Sequence, residues 1–205
     1  MSVFSTPLVR YLAIRMGCID QPGQRKVHAE PTPRLGGVAF ALAMAAVTLI
    51  VLVALACGGV NRGIVSYLVG AFLLVMLGAA DDARRLGWKV KLAGMLVVIS
   101  LVVFGGDVAI RQIGTYGTLG RINLGLWGIP FTYLCVIGVT NAINLIDGLN
   151  GLAGGTSLVA LVFMGVAAYL SGDPTLACLC LGLAGSVGGF LIYNFPRGRI
   201  FMGDS

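Results

Sequence analysis

Charge is what this chain has least of. Only 11% of its 205 residues are Asp, Glu, Lys or Arg, against 58% hydrophobic residues and a mean hydropathy of +0.95, whereas charged residues make up about 25% of a soluble domain. A water-soluble globular domain is excluded, and an integral membrane protein is implied. Histidine occurs once, as His28, and a lone histidine is more often structural or solvated than catalytic. The five cysteines (Cys18, Cys57, Cys135, Cys178 and Cys180) lack metal-site spacing, and Cys178 and Cys180 would face different sides of a helix. They read as small apolar packing residues. There is no internal repeat and no low-complexity tract. Residues 1–16 carry Arg10 and Arg15 and no uninterrupted apolar core, so they are neither a signal peptide nor a full span. They belong in or near the cytoplasmic interface. A formal charge of +6 would suggest nucleic acid in a soluble protein, but here the position of the charges matters more than their sum, and no nucleic-acid partner is expected.

What is present in quantity is apolar runs. They fall at about 37–57, 64–80, 90–104, 127–143, 155–171 and 174–194, most close to the roughly 20 residues that cross a bilayer. The fold class is therefore all-α, a polytopic transmembrane helix bundle with about six spans, and residues 1–205 form one membrane domain. The connections alternate in charge. Arg10, Arg15, Arg25, Lys26, Arg34, Arg84, Arg85, Lys89, Lys91, Arg197 and Arg199 lie in one set, and only Arg62, Arg111 and Arg121 in the other. The positive-inside rule places the first set in the cytoplasm. The 105–126 connection, with alternating apolar residues and glycines, is expected to be a short hairpin or extended loop on the outer side. Trp88 and Trp127 suit interfacial anchors.

Four motif loops then share the cytoplasmic side, at about 17–36, 81–91, 144–154 and 195–205. In NAINLIDGLNGLAGG, Asn141, Asn144, Asp147 and Asn150 are spaced by three, and if the helix continues through them they form a polar strip. Gly148, Gly151, Gly154 and Gly155 interrupt that helix or admit a ligand close to the backbone. Asp81 and Asp82 end a span and are followed by Arg84, Arg85, Lys89 and Lys91. Adjacent carboxylates at a membrane boundary are costly unless a metal, a cation or water offsets them. They are either a solvated helix end or a pair that handles metal and phosphate. FPRGRIFMGDS joins Arg197 and Arg199, forks suited to phosphate, to Asp204. RKVHAEPTPRLGG holds Lys26 and His28 in a loop stiffened by proline. A face rich in both signs and floored by lipid suits a magnesium-bound polyphosphate. Intramembrane Asp and Asn on broken, glycine-rich helices are also how ion-coupled transporters bind ions, at mid-span. Depth separates the two readings.

The set RKVHAEPTPRLGG, LGAADDARRLGWKVKL, NAINLIDGLNGLAGG and NFPRGRIFMGDS, in this order, resembles the polyprenyl-phosphate N-acetylhexosamine-1-phosphate transferases. Within them it looks more like the undecaprenyl-phosphate GlcNAc-1-phosphate branch than the related phospho-N-acetylmuramoyl-pentapeptide transferases. The resemblance implies a multi-pass enzyme of the inner (plasma) membrane, working on its cytoplasmic face for cell-wall or surface polysaccharide synthesis. It would move N-acetylglucosamine-1-phosphate from a UDP-N-acetylhexosamine to undecaprenyl phosphate with Mg2+, or Mn2+ in its place, and release UMP. By the same resemblance Asp204 and Asp147 would belong to the metal site, with Asp204 a direct ligand. Asp81 and Asp82 would orient or deprotonate the acceptor, and Lys26, His28, Lys91, Arg197 and Arg199 would bind substrate. Asn144 would belong to the diphosphate surroundings, while Gly148, Leu149, Asn150 and Phe201 would hold the uracil. A homodimer in the bilayer is compatible with it.

The chain departs from the family pattern at Asn150, where the family usually has Asp, and at Met95, where it usually has Gln. An amide both donates and accepts where a carboxylate only accepts, so nucleotide preference turns on Asn150. The family also continues beyond the aspartate of the last motif through further spans and a histidine-rich loop. The chain is thus expected to be a fragment of a larger bundle, or an inactive truncated homologue. Asp204→Asn in the full-length protein is expected to abolish transfer and leave membrane insertion intact. A transfer assay beside membrane fractionation checks this, and retained activity would remove Asp204 from the site.

Overall fold

The computed structural model describes residues 2–17, 19–20, 32–33, 36–39, 41–43, 45–46, 62–84, 86–117, 120–196, 198 and 200–203. Five helices among them are long and apolar enough to cross a membrane. In chain order the elements are α1 (Ser2–Arg15), β1 (Ile19–Asp20), β2 (Thr32–Pro33), α2 (Arg62–Arg84), α3 (Trp88–Gly106), β3 (Gln112–Tyr116), β4 (Gly120–Asn123), a 3-10 turn (Gly125–Trp127), α4 (Gly128–Ile146), α5 (Leu152–Leu170) and α6 (Pro174–Asn194). The five long helices match five of the expected spans, and α6 matches to the residue. Of the expected 37–57 span, residues 37–39, 41–43 and 45–46 are helical, and the remainder lies outside the described residues.

The observed helices outrun the apolar runs at several ends because a helix need not stop where the chain becomes polar. α2 continues through Asp81, Asp82 and Arg84, which brings those charges to its last turn. Where helices begin, local chemistry explains it. Asp173 caps α6, its Oδ1 accepting from Leu176 N at 2.9 Å with Pro174 in the first turn. Gly151, the residue before α5, has φ +80°, a conformation that glycine adopts without Cβ strain.

Successive long helices run in opposite directions, so the ends of α2, α4 and α6 and the starts of α3 and α5 meet at one end of the bundle. α5 packs along α6, and α2 along α3. Gly70 of α2 receives the side chain of Val102 of α3, and a Cβ there would collide with it, the close approach by which small residues join helices in lipid. Ser100 and Tyr133 share a hydrogen bond of 2.6 Å between α3 and α4. At the opposite end β3 and β4 form the expected hairpin, antiparallel with a bulge between Gln112 and Gly114. Thr132 ties it to α4 by accepting from Ile110 N at 2.8 Å.

α1 is shorter than a span but is not merely surface-bound. It buries Ser2, Thr6, Val9 and Ala13, one stripe of the helix, against the last turns of α6, where Tyr193 donates to Val3 O at 2.9 Å. β1 and β2 pair Ile19 with Pro33 and Asp20 with Thr32, closing the base of the proline-bearing loop. The core is correspondingly small and lies near this end, around Phe190, Ile200, Ala153, Ala39, Val9 and Met202. Large apolar side chains such as Phe72, Phe104, Leu134, Phe163 and Ile192 stay exposed along the helices, as a lipid-facing surface requires. Trp88 and Trp127 are exposed at opposite ends of the bundle.

Gly70→Val is expected to lower the thermal unfolding midpoint in detergent, since overpacking of this kind costs about 1–3 kcal/mol. An unchanged midpoint would mean that α2 and α3 are not held by this contact.

Candidate active site

The segment Ile200–Gly203 gathers the motifs. Phe201 N donates to Pro33 O at 2.9 Å, Gly36 N to Phe201 O at 2.9 Å, and Gly37 N to Met202 O at 2.8 Å. The end of the fourth motif is thus stitched to the end of the first. Gly203, at φ +76°, lies against Asp82: a Cβ built on it would sit 2.5 Å from Asp82 Oδ2. Only glycine lets the backbone pass that carboxylate so closely.

Asp81 and Asp82 share a helix turn but have different surroundings. Asp82 is buried against Gly203. Asp81 spans the α2–α3 junction, its Oδ1 accepting from Leu86 N at 2.7 Å and its Oδ2 pairing with Lys91 Nζ at 2.9 Å. Both oxygens of Asp81 are thereby engaged, and Lys91 is held in a fixed position by a pair with little solvent around it. In this geometry Asp81 orients the ammonium rather than reaching an open space itself.

A cleft of about 430 Å³ opens beside these residues. Lys91, Asn141, Asn144, Asp147 and Gly203 line its polar end, and Leu161, Met164, Leu183 and Val187 its apolar wall. Its size is that of a small-molecule site. Asn141, Asn144 and Asp147 form the expected strip, but Asn150 does not continue it. α4 ends at Ile146, Asp147 turns at ψ 32° with its N–H on Asn144 O, and residues 148–151 double back. Asn150 instead faces the last motif, donating from Nδ2 to Pro196 O at 3.2 Å. Gly148 has open space beside it, and Leu149 is exposed. Met95 is buried within α3, away from the cleft lining, and acts as a packing residue.

Lys26, His28, Arg197, Arg199 and Asp204 lie outside the described residues. The structure does bring together Asp81, Asp82, Lys91, Asn144, Asp147 and Phe201, with the 148–150 turn alongside. Among the described residues no three His, Cys, Asp or Glu side chains converge as a metal cage. Mg2+ does not need one, being held by one or two carboxylates with water and phosphate oxygens, so hard oxygen donors such as Asp147 fit that ion. Asn194 was missed in the sequence. It is the only amide in the otherwise apolar run 174–194, a signal that could have singled it out. It is 3% exposed, with Oδ1 accepting from Gly151 N at 2.6 Å and Nδ2 donating to Ile200 O at 2.9 Å.

No described long helix carries a carboxylate at mid-span. Asp81 and Asp82 lie in the last turn of α2, Asp147 just past α4, and Asp107 and Asp173 at the opposite ends of α3 and α6. That depth disfavours ion coupling at the midplane and defines a multi-pass helical membrane protein with a mixed-charge, amide-lined cleft at one end of its bundle. The chain belongs to glycosyl transferase family 4, whose model matches residues 64–205. It is 38% identical over 202 residues to a probable undecaprenyl-phosphate N-acetylglucosaminyl 1-phosphate transferase of Bacillus subtilis, covering 98% of this chain and 54% of that protein. A decaprenyl-phosphate N-acetylglucosaminephosphotransferase of Mycolicibacterium smegmatis is 36% identical over 219 residues, covering 100% and 53%. A phospho-N-acetylmuramoyl-pentapeptide-transferase of Clostridium perfringens is 33% identical over 208 residues, covering 97% and 64%. The chain spans about half the length of the first two relatives.

Removing one partner of a largely shielded ion pair loosens the hold on the other. Asp81→Asn is therefore expected to raise the rate at which an acylating reagent labels Lys91 severalfold, read by peptide mass spectrometry. Unchanged labelling would show that Asp81 does not hold the lysine.

Proposed function

We propose that this chain carries the catalytic face of a polyprenyl-phosphate N-acetylglucosamine-1-phosphate transferase. The donor is a UDP-N-acetylhexosamine, the acceptor undecaprenyl phosphate, and the face that of the cytoplasm, where the basic connections lie. The observation that carries this reading is the cleft itself: one end offers Lys91, Asn144 and Asp147, and the wall beyond is apolar. Leu161, Met164 and Leu183 of that wall also line a second cavity of about 630 Å³ toward the other end of the bundle, so an apolar surface continues away from the charges. A lipid whose only polar group is a terminal phosphate matches that distribution.

In the reaction the acceptor phosphate oxygen bonds to the sugar-bearing phosphorus of the donor, and the bond from that phosphorus to UMP breaks. The products are the lipid diphosphate sugar and UMP. A phosphate monoester has its second pKa near 6, so the acceptor can attack already ionised, and neither Asp81 nor Asp82 need remove its proton. Bringing two anions together requires fixed positive charge. Lys91, locked by Asp81, supplies it without reorganising as charge shifts in the transition state. Mg2+, held through Asp147 and Asp204, would neutralise the donor diphosphate when bound. Asn144 presents an amide to the same space. The turn at 148–150, which follows the cleft-lining Asp147, and Phe201, which precedes the cleft-lining Met202 and Gly203, would hold the nucleotide.

Membranes of the full-length protein, given labelled UDP-GlcNAc, a polyprenyl phosphate and magnesium, are expected to yield lipid-extractable label and UMP in equal amounts, both lost on chelation. Absence of both products from inserted protein, with each UDP-N-acetylhexosamine tried, would overturn the reading. The same assay on residues 1–205 alone tests whether this face works by itself.

A further inference from the structure

Asn194 closes α6 with its carboxamide in the interior, where a polar group is costly unless hydrogen-bonded. Its bonds outside the helix join parts of the site. Its Oδ1 holds Gly151 N of the 148–151 turn, its Nδ2 holds Ile200 O, and its own carbonyl accepts from Gly198 N at 2.8 Å. Two further contacts lie on the same seam. Asn150 donates to Pro196 O, and the Phe195 ring lies under Gly151, where a Cβ would come within 2.8 Å of it. The turn is thus seated on Asn194, Phe195 and Pro196.

The other side of the Ile200–Gly203 segment is supported independently. Phe201 and Met202 keep their backbone bonds to Pro33, Gly36 and Gly37 whatever happens to Asn194. Removing the carboxamide would release the turn while leaving Phe201, and Gly203 beside Asp82, in place.

We propose that Asn194 is a positioning residue for the donor, its buried carboxamide locking the 148–151 turn onto the last motif so that the turn beside the cleft-lining Asp147 is preformed for the nucleotide. This rests on the function proposed above. Pre-organisation of this kind lowers the cost of binding one substrate without touching the other. Its loss should therefore divide the kinetics by substrate. A merely structural role would not.

The test uses the full-length protein in lipid nanodiscs, wild type, Asn194→Leu and Asn194→Asp. Leucine removes both side-chain bonds at similar volume, and aspartate retains an acceptor for Gly151 N while losing the donor to Ile200 O. By hydrogen-exchange mass spectrometry, peptides covering 148–152 are expected to exchange at least about tenfold faster in Asn194→Leu, with α2 and α3 unchanged, and to keep part of their protection in Asn194→Asp. In transfer kinetics the KM for UDP-GlcNAc is expected to rise about tenfold in Asn194→Leu, the equivalent of about 1.4 kcal/mol or one hydrogen bond. The KM for polyprenyl phosphate and kcat should stay within about threefold, since the support from 33–37 remains. Unchanged exchange at 148–152 would overturn the lock. Parallel losses in kcat and both KM values would overturn the donor-specific role. Should Asn194→Leu fail to insert, the wild type decides: rapid exchange of the Gly151 amide, with α5 protected, contradicts the lock. A wild type inert toward every UDP-N-acetylhexosamine would refute the functional reading, and the exchange data would still decide the lock.

Discussion

Backbone that leaves a helix at the edge of a membrane must find partners for its N–H and C=O groups, because the hydrocarbon offers none and each unsatisfied group is costly. The segment after α6 meets that requirement by borrowing partners from distant parts of the chain. Phe201 and Met202 bond to the 33–37 segment, Ile200 bonds to the Asn194 side chain, and Gly203 lies on Asp82. Three stretches separated by scores of residues, around Gly36, Asp82 and Ile200, become one surface as a consequence. The need to satisfy this short segment is what draws the site together.

Electrostatics follows from the same assembly. Asp81 and Asp82 are neighbours in sequence, yet the fold gives them separate tasks. Asp81 is tied to Lys91 and to the start of the following connection, whereas Asp82 packs on the last motif. The ammonium of Lys91 is held beside a cleft whose far wall is leucine, methionine and valine. Fixed charge at the mouth of an apolar groove is the arrangement that a phosphate on a long hydrocarbon tail would exploit. It also keeps a charged group off the lipid-facing surface, where its burial would be unfavourable.

Much of this was legible in the order of residues. The apolar runs fixed which segments cross, the alternation of basic connections put the four motifs at one end, and the glycine-punctuated 105–126 stretch became the hairpin at the other. Asn141, Asn144 and Asp147 kept their common face because helical spacing is a local property. Asn150 left that face because α4 ends at Ile146, and no spacing rule registers where a helix will stop when glycines follow. Asn194 was obscured for a different reason. One amide at the end of an apolar span reads as a helix end, and its importance lies in partners at Gly151 and Ile200, one of them some forty positions away.

The sequence by itself determined the kind of molecule and its chemistry: a membrane-spanning helical chain, with most of its cations and its four motifs in the connections on one side. It could do so because hydropathy over twenty residues and charge in short loops are additive local quantities that a bilayer sorts by transfer free energy. Only the tertiary structure decided which carboxylate holds the lysine, which one faces the last motif, and which amide is a fastener and which lines the cleft. Those assignments depend on which partners the packing presents: Asp81 meets Lys91 across the α2–α3 junction, Gly203 reaches Asp82, and Asn194 reaches Gly151, none of which a spacing rule specifies.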